Sequence, residues 1–227
     1  MLPQVVPGPA SPELRELAGR ARPVSLARDR VLPVLPAFLD LLPQGGLRRG
    51  ATMTVTGGSG SVGLTSAALA LVAASSAAGS WCAAVGMPAL GAVAAAELGL
   101  DLARFALVPA AGPQWATVTA ALLDALDIVM VQPPFRVQSA DARRLSARAR
   151  ERGSVLLVVE HGCRARWPER PGVRVSVQEA RWEGLGQGHG RLEARRVETV
   201  VDGRGTASRP RRAWLWLPAP PGGVERG

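Results

Sequence analysis

The sequence predicts an α/β protein with a mostly parallel central sheet flanked by helices and antiparallel strands toward the carboxy terminus. Three observations predict it. Strand-like and helical runs alternate from Thr52 to Val159, a glycine loop joins the first of these strands to an Ala-rich helix, and beyond Gly172 short alternating runs separated by turn residues replace the helical pattern. At 227 residues and 47% hydrophobic content, the chain can fill the core of one domain.

Residues 1–10 are Pro-rich, and Ser11-Pro12-Glu13 reads as an N-cap, a proline at the first helical position and an acid in the first turn. A helix over 12–22 follows, with Leu14, Leu17, Ala18 and Ala21 on one face. Leu14 and Leu17 are candidate contacts, for docking on this chain or on a partner. Residues 35–50 carry an apolar helical turn or two and then a Gly-Gly turn, before the β-branched strand Thr52–Val55. The loop GGSGSVGLTS opens a helix over about 66–78.

Further on come a strand at 81–85, a helix over 90–98, a strand at 105–108, a helix over 115–126, a strand at 128–131 and a helix over 140–151. The apolar run Val155–Val159 is expected to be buried on both faces. Antiparallel strands are expected at 173–180, 191–200 and 213–217. The chain thus divides into an extension with one helix (1–30), a core (31–217) and a flexible tail (218–227).

All 27 basic residues are Arg, and the formal net charge is +9. The excess is local: residues 1–135 hold 8 Arg and 8 acids, residues 136–227 hold 19 Arg and 10 acids. That bias favours an anionic partner, nucleic acid first, although a solvated arginine surface would look the same. Cys82 and Cys163 are too few and too far apart for a zinc motif or a disulfide framework, so a reducing, cytoplasmic setting is expected. The uncharged stretch between Arg49 and Glu97 is made of small residues and broken by Gly86 and Pro88, so no membrane span is expected.

The chemistry should lie in the glycine loop. Gly58, four residues, Gly63-Leu64-Thr65 matches a phosphate-binding loop at every position except the one that takes lysine. That lysine meets the β and γ phosphates, and the chain contains no Lys to replace it. Its loss removes a charged hydrogen bond worth about 1.5–3 kcal/mol and more in the transition state. The strand at 128–131 should present a magnesium-binding acid at its carboxyl end, but Gln132 stands there and Asp127 lies at the other end. The strand at 81–85 leads to Gly86-Met87-Pro88, where a water-activating Glu would be sought. His161 and His189 are isolated, so neither a catalytic set nor a cofactor or metal site is expected.

The order of these motifs resembles the recombinase RecA over most of residues 30–217. LPAFLDLLPQGGLRRGATMTVTG resembles that family's approach to its phosphate loop, ELGLDLARFALVPA the segment after its catalytic Glu, and LDIVMVQ its Walker B strand. Leu64, Pro88 and Gln132 fall where that family has Lys, Glu and Asp, so hydrolysis is not carried over. The losses and the length make the chain resemble ImuA-type accessory proteins of the DNA-damage-induced mutasome. The resemblance implies a role in translesion synthesis under the SOS response, with an ImuB-like Y-family protein, indirectly an error-prone replicative-type polymerase, and RecA or DNA as further partners. It also matches residues 133–140 and 162–172 to DNA-binding loops. Arg164, Arg166, Trp167 and Arg170 in the second are candidate DNA contacts, or else cover the sheet edge.

In the segment RPRRAWLWL, Trp214 and Trp216 share one face and Leu215 and Leu217 the other, making the tryptophans candidate partner contacts or core. Two readings compete with the adaptor: a DNA-binding modulator of recombination, and a nucleotide-dependent enzyme using Arg48, Arg49 or a neighbour's Arg in place of the lysine.

Overall fold

Strand β3 (Thr52–Gly57) lies in the middle of a nine-stranded sheet because its residues are β-branched or apolar and flanked by other apolar strands. The computed structural model describes residues 30–57, 63–161, 166–185, 190–220 and 222–227. The expected helix over 12–22, with Leu14 and Leu17, lies outside them. A short pair, β1 (Val31–Leu32) and β2 (Leu47–Arg48), precedes β3. Between them two single turns, Pro36–Phe38 and Pro43–Gly45, bury Phe38, Leu41 and Leu42.

After β3 come α1 (Leu64–Ala77), β4 (Cys82–Val85), α2 (Ala92–Glu97), β5 (Phe105–Val108), α3 (Trp115–Ala125), β6 (Ile128–Val131), α4 (Ser139–Arg152) and β7 (Val155–Glu160). The sheet closes with β8 (Val173–Leu185), β9 (Gly190–Gly203), β10 (Arg211–Trp216) and β11 (Glu225–Arg226). The strand order is β11-β10-β9-β8-β3-β7-β6-β4-β5. Pairs from β5 to β8 are parallel, and those from β8 to β11 antiparallel.

Each face of the sheet carries its own core. On one, the Ala-rich α1 packs with Phe38, Met53, Val55, Ile128, Met130 and Leu157. It is buried on nearly every side, so its small residues let it lie close to the strands. On the other, α3 and α4 cover Val129, Val131, Leu156 and Val158; α4 turns Ala142, Leu145 and Ala149 inward and its arginines outward. Two strand expectations need correction. The runs at 173–180 and 191–200 are parts of a long ribbon with register shifts between Val177 and Ala180 and between Glu183 and Leu185. The residues expected to be a free tail instead bury Ala219 and pair β11 with β10.

Candidate functional site

The parallel strands point their carboxyl ends at one edge, and there the phosphate loop and its catalytic acids were sought. The loop runs from β3 to α1; Gly58 lies outside the described residues. Gly63 caps α1 with φ +93°, and among the described residues no side chain caps the helix. Leu64 is 1% exposed and packs in the core beneath α1, whereas Thr65 is partly exposed. The position that would need a cation therefore carries a side chain directed into apolar surroundings. At the ends of β4 and β6, Pro88 is exposed and Gln132 is partly buried, its N–H donating to Val85 O (2.9 Å).

Asp127 lies at the opposite, amino edge. There it accepts hydrogen bonds from Arg49 Nη1 (2.8 Å) and the Trp81 N–H (3.0 Å). Arg48 and Arg49 share that amino edge, so neither stands where the missing lysine would. That is a correction to their candidacy as substitutes.

An arginine does approach the amino end of α1: Arg195 of β9, which the sequence did not single out. Its Cζ lies 3.1 Å from where a Cβ on Gly63 would be. Nε donates to Leu217 O (2.8 Å), and the guanidinium lies 4.8 Å from the ring centre of Trp182, its neighbour across the strands. Arg195 is 5% exposed, and among the described residues its buried Nη2 has no partner. Burial pulls its pKa below the usual arginine value. Among the described residues no carboxylate pairs with this buried charge, which is costly, and it also faces the positive end of a helix.

Glu160, at the carboxyl end of β7, was also missed; its signal is an acid closing the apolar run VLLVVE. It is buried, and its Oε1 accepts the Trp167 N–H (3.0 Å). Burial raises its pKa, opposed by that hydrogen bond and by Arg174 and Arg166.

Beyond it a cavity of about 780 Å³ opens between the segment after β6 and the segment joining β7 to β8. Arg136, Arg166, Arg170 and Arg174 line it together with Phe135, which is 47% exposed. Arg166 and Arg170 are exposed, as a DNA contact requires, and Arg164 lies outside the described residues. Trp167 is a correction: at 4% exposure it belongs to the buried cluster that also holds Val137 and Leu145, so its ring is closed to a stacked base. Phe135 is the open aromatic at this cavity, and no sequence periodicity marked it.

Trp214 and Trp216 are both half-buried, and Leu215 and Leu217 fully buried, so the inward face of β10 is the leucine face. Arg196 lies over the Trp214 ring at 4.9 Å. His161 is exposed, while His189 and Cys163 lie outside the described residues. Among the described residues no three His, Cys, Asp or Glu side chains gather to hold a metal, and no helix is long and apolar enough to cross a membrane.

The parallel core, the glycine turn into α1 and the antiparallel extension define a RecA-like α/β fold. In line with this, the KaiC-like protein PH0186 of Pyrococcus horikoshii OT3 superposes with a TM-score of 0.59, at 16% identity, over 87% of this chain and 98% of that one. Residues 40–169, more than half the chain, match the MT3502 N-terminal domain family, and the chain belongs to that family. Over 106 residues it is 42% identical to the uncharacterized protein Rv3395c of Mycobacterium tuberculosis (strain ATCC 25618 / H37Rv). That match covers 44% of this chain and 52% of the relative, so the chain spans about half of the relative's length.

Proposed function

We propose that the chain is a RecA-like accessory protein that acts by binding macromolecules and does not hydrolyse nucleotide. In this reading it serves DNA-damage-induced mutagenesis in the cytoplasm, as an adaptor between an ImuB-like Y-family protein, its error-prone polymerase and RecA. One observation carries the non-catalytic part: residue 64, where phosphoryl transfer needs a cation, is a leucine with its side chain in the core. The partners rest on the resemblance to ImuA-type proteins.

The test is capture of the ImuB-like protein and of RecA from the same organism by the purified chain without nucleotide, beside phosphate release from Mg-ATP. Capture without turnover supports the adaptor. Turnover above background would sink the non-catalytic reading.

A second reading, a DNA-binding modulator, is favoured by the arginine-lined cavity at Phe135. Four guanidinia beside an open aromatic ring suit a phosphate backbone with a stacked base. Salt-dependent binding of single-stranded DNA by the isolated chain tests it.

A further inference from the structure

At the amino edge of the sheet, opposite the edge that carries Gly63, lies a second cavity of about 270 Å³. Arg48, Arg150, Arg170 and Arg204 line it, and all four are exposed. They come from the end of β2, the last turn of α4, the segment before β8 and the residue after β9. Among the described residues none of the four pairs with a carboxylate, whereas their neighbour Arg49 is taken by Asp127. The carboxylate in the lining is Glu169.

The backbone beneath them is closely fitted. A Cβ on Gly203 would stand 2.2 Å from Gly172 O, so only glycine lets β9 end there. The Arg204 N–H donates to the same carbonyl (3.0 Å), and Arg170 Nη2 donates to Gly203 O (3.4 Å). These contacts hold Arg170 and Arg204 beside one another. Arg150 also complements the carboxyl end of α4, but that explains neither Arg48 nor Arg204, which belong to no helix.

Trp167, Glu169 and Arg170 line both this cavity and the larger one at Phe135, so the two adjoin. Guanidinia spaced along such a path match the repeating charge of a phosphodiester chain, and their planar forks suit its oxygens. From this we infer that the amino-edge arginines form a phosphate seat for single-stranded nucleic acid, extending the track beyond the Phe135 cavity. The inference rests on the nucleic-acid reading above. Arg48, Arg150 and Arg204 are the specific residues, because they line the amino-edge cavity and not the one at Phe135.

The experiment is a titration of the full chain into fluorescently labelled oligothymidylate at several salt concentrations, comparing wild type with R48Q/R150Q/R204Q. Each phosphate contact on a single strand contributes about 0.7 to the slope of log affinity against log salt, so the variant's slope should be shallower by about two. Thermal melting confirms that the exposed substitutions leave the fold intact. An unchanged slope overturns the phosphate seat while leaving the nucleic-acid reading standing. No binding by wild type overturns both. Competition by polyglutamate as effective as by unlabelled oligothymidylate, charge for charge, would make the partner an acidic protein and also overturn the inference.

Discussion

The Arg195 guanidinium lies against Gly63, with Cζ 3.1 Å from the place a Cβ would take, joining the ribbon β8–β9 to the first turn of α1. Gly63 is doubly constrained, by this neighbour and by its φ of +93°. G63A is predicted to destabilise the chain by about 1–3 kcal/mol through backbone strain, with an added cost of crowding Arg195. In an R195M background the crowding share should vanish, because methionine is flexible and can yield. Urea melts of the four proteins in the cycle should show a favourable coupling of about 0.5–3 kcal/mol. Additive costs would mean that the two residues do not press on each other.

Glu160 supplies a pH signature. Its folded pKa is raised above the ordinary 4.5, chiefly by burial, so the folded state holds its proton more tightly than the unfolded chain does. The contribution is therefore favourable in acid and is lost as pH rises from about the unfolded value through the folded one. Gln keeps an oxygen for the Trp167 N–H without the buried charge. E160Q should be more stable than wild type at pH 7, and the gap should narrow toward pH 4. Melting curves across that range check it; a gap that widens in acid would refute the buried-charge account.

How much of this was legible follows from how local each signal is. The strands at 105–108 and 128–131 were readable to the residue, because short β-rich runs there abut clear helical patterns. The β8–β9 ribbon was read too short, since exposed Gln178, Glu179, Trp182 and Glu183 blur its alternation where the register shifts. β11 is two charged residues after a Pro/Gly stretch, and only its pairing with β10 makes it a strand. At the site, the missing lysine was visible in the loop itself. Arg195 was not, because its meeting with Gly63 is made by sheet order, on which no local pattern reports. Trp167 failed for a related reason: a loop tryptophan among arginines looks the same in sequence whether its ring faces solvent or the core.

Cys82 illustrates a buried group with no reactivity to offer. Its thiol pKa is pushed up to about 12, first by burial and then by the negative charge of Asp127, with Ser76 opposing. Almost no thiolate exists at pH 8, and the thiolate is the nucleophile. Iodoacetamide should leave the peptide carrying Cys82 unlabelled in the native protein and label it fully in urea, as read by mass spectrometry. Native labelling would show that the strand opens or that the thiol is not held as described.

Restoring the lysine is the sharpest test of the non-catalytic reading. If Leu64 were only a missing charge in an otherwise competent loop, L64K would regain nucleotide binding. The side chain is instead 1% exposed and packed with the core beneath α1, where an ammonium group has no counter-charge among the described residues. L64K is therefore predicted to lose about 3–5 kcal/mol of stability, the usual cost of an uncompensated buried charge. It should also release no phosphate from Mg-ATP, because the acids sought at Pro88 and Gln132 would still be missing. Denaturant melts and phosphate release on the same preparation read both. A variant as stable as wild type that hydrolyses ATP would show that the apolar surroundings of residue 64 are no barrier, and the non-catalytic reading would fall with them.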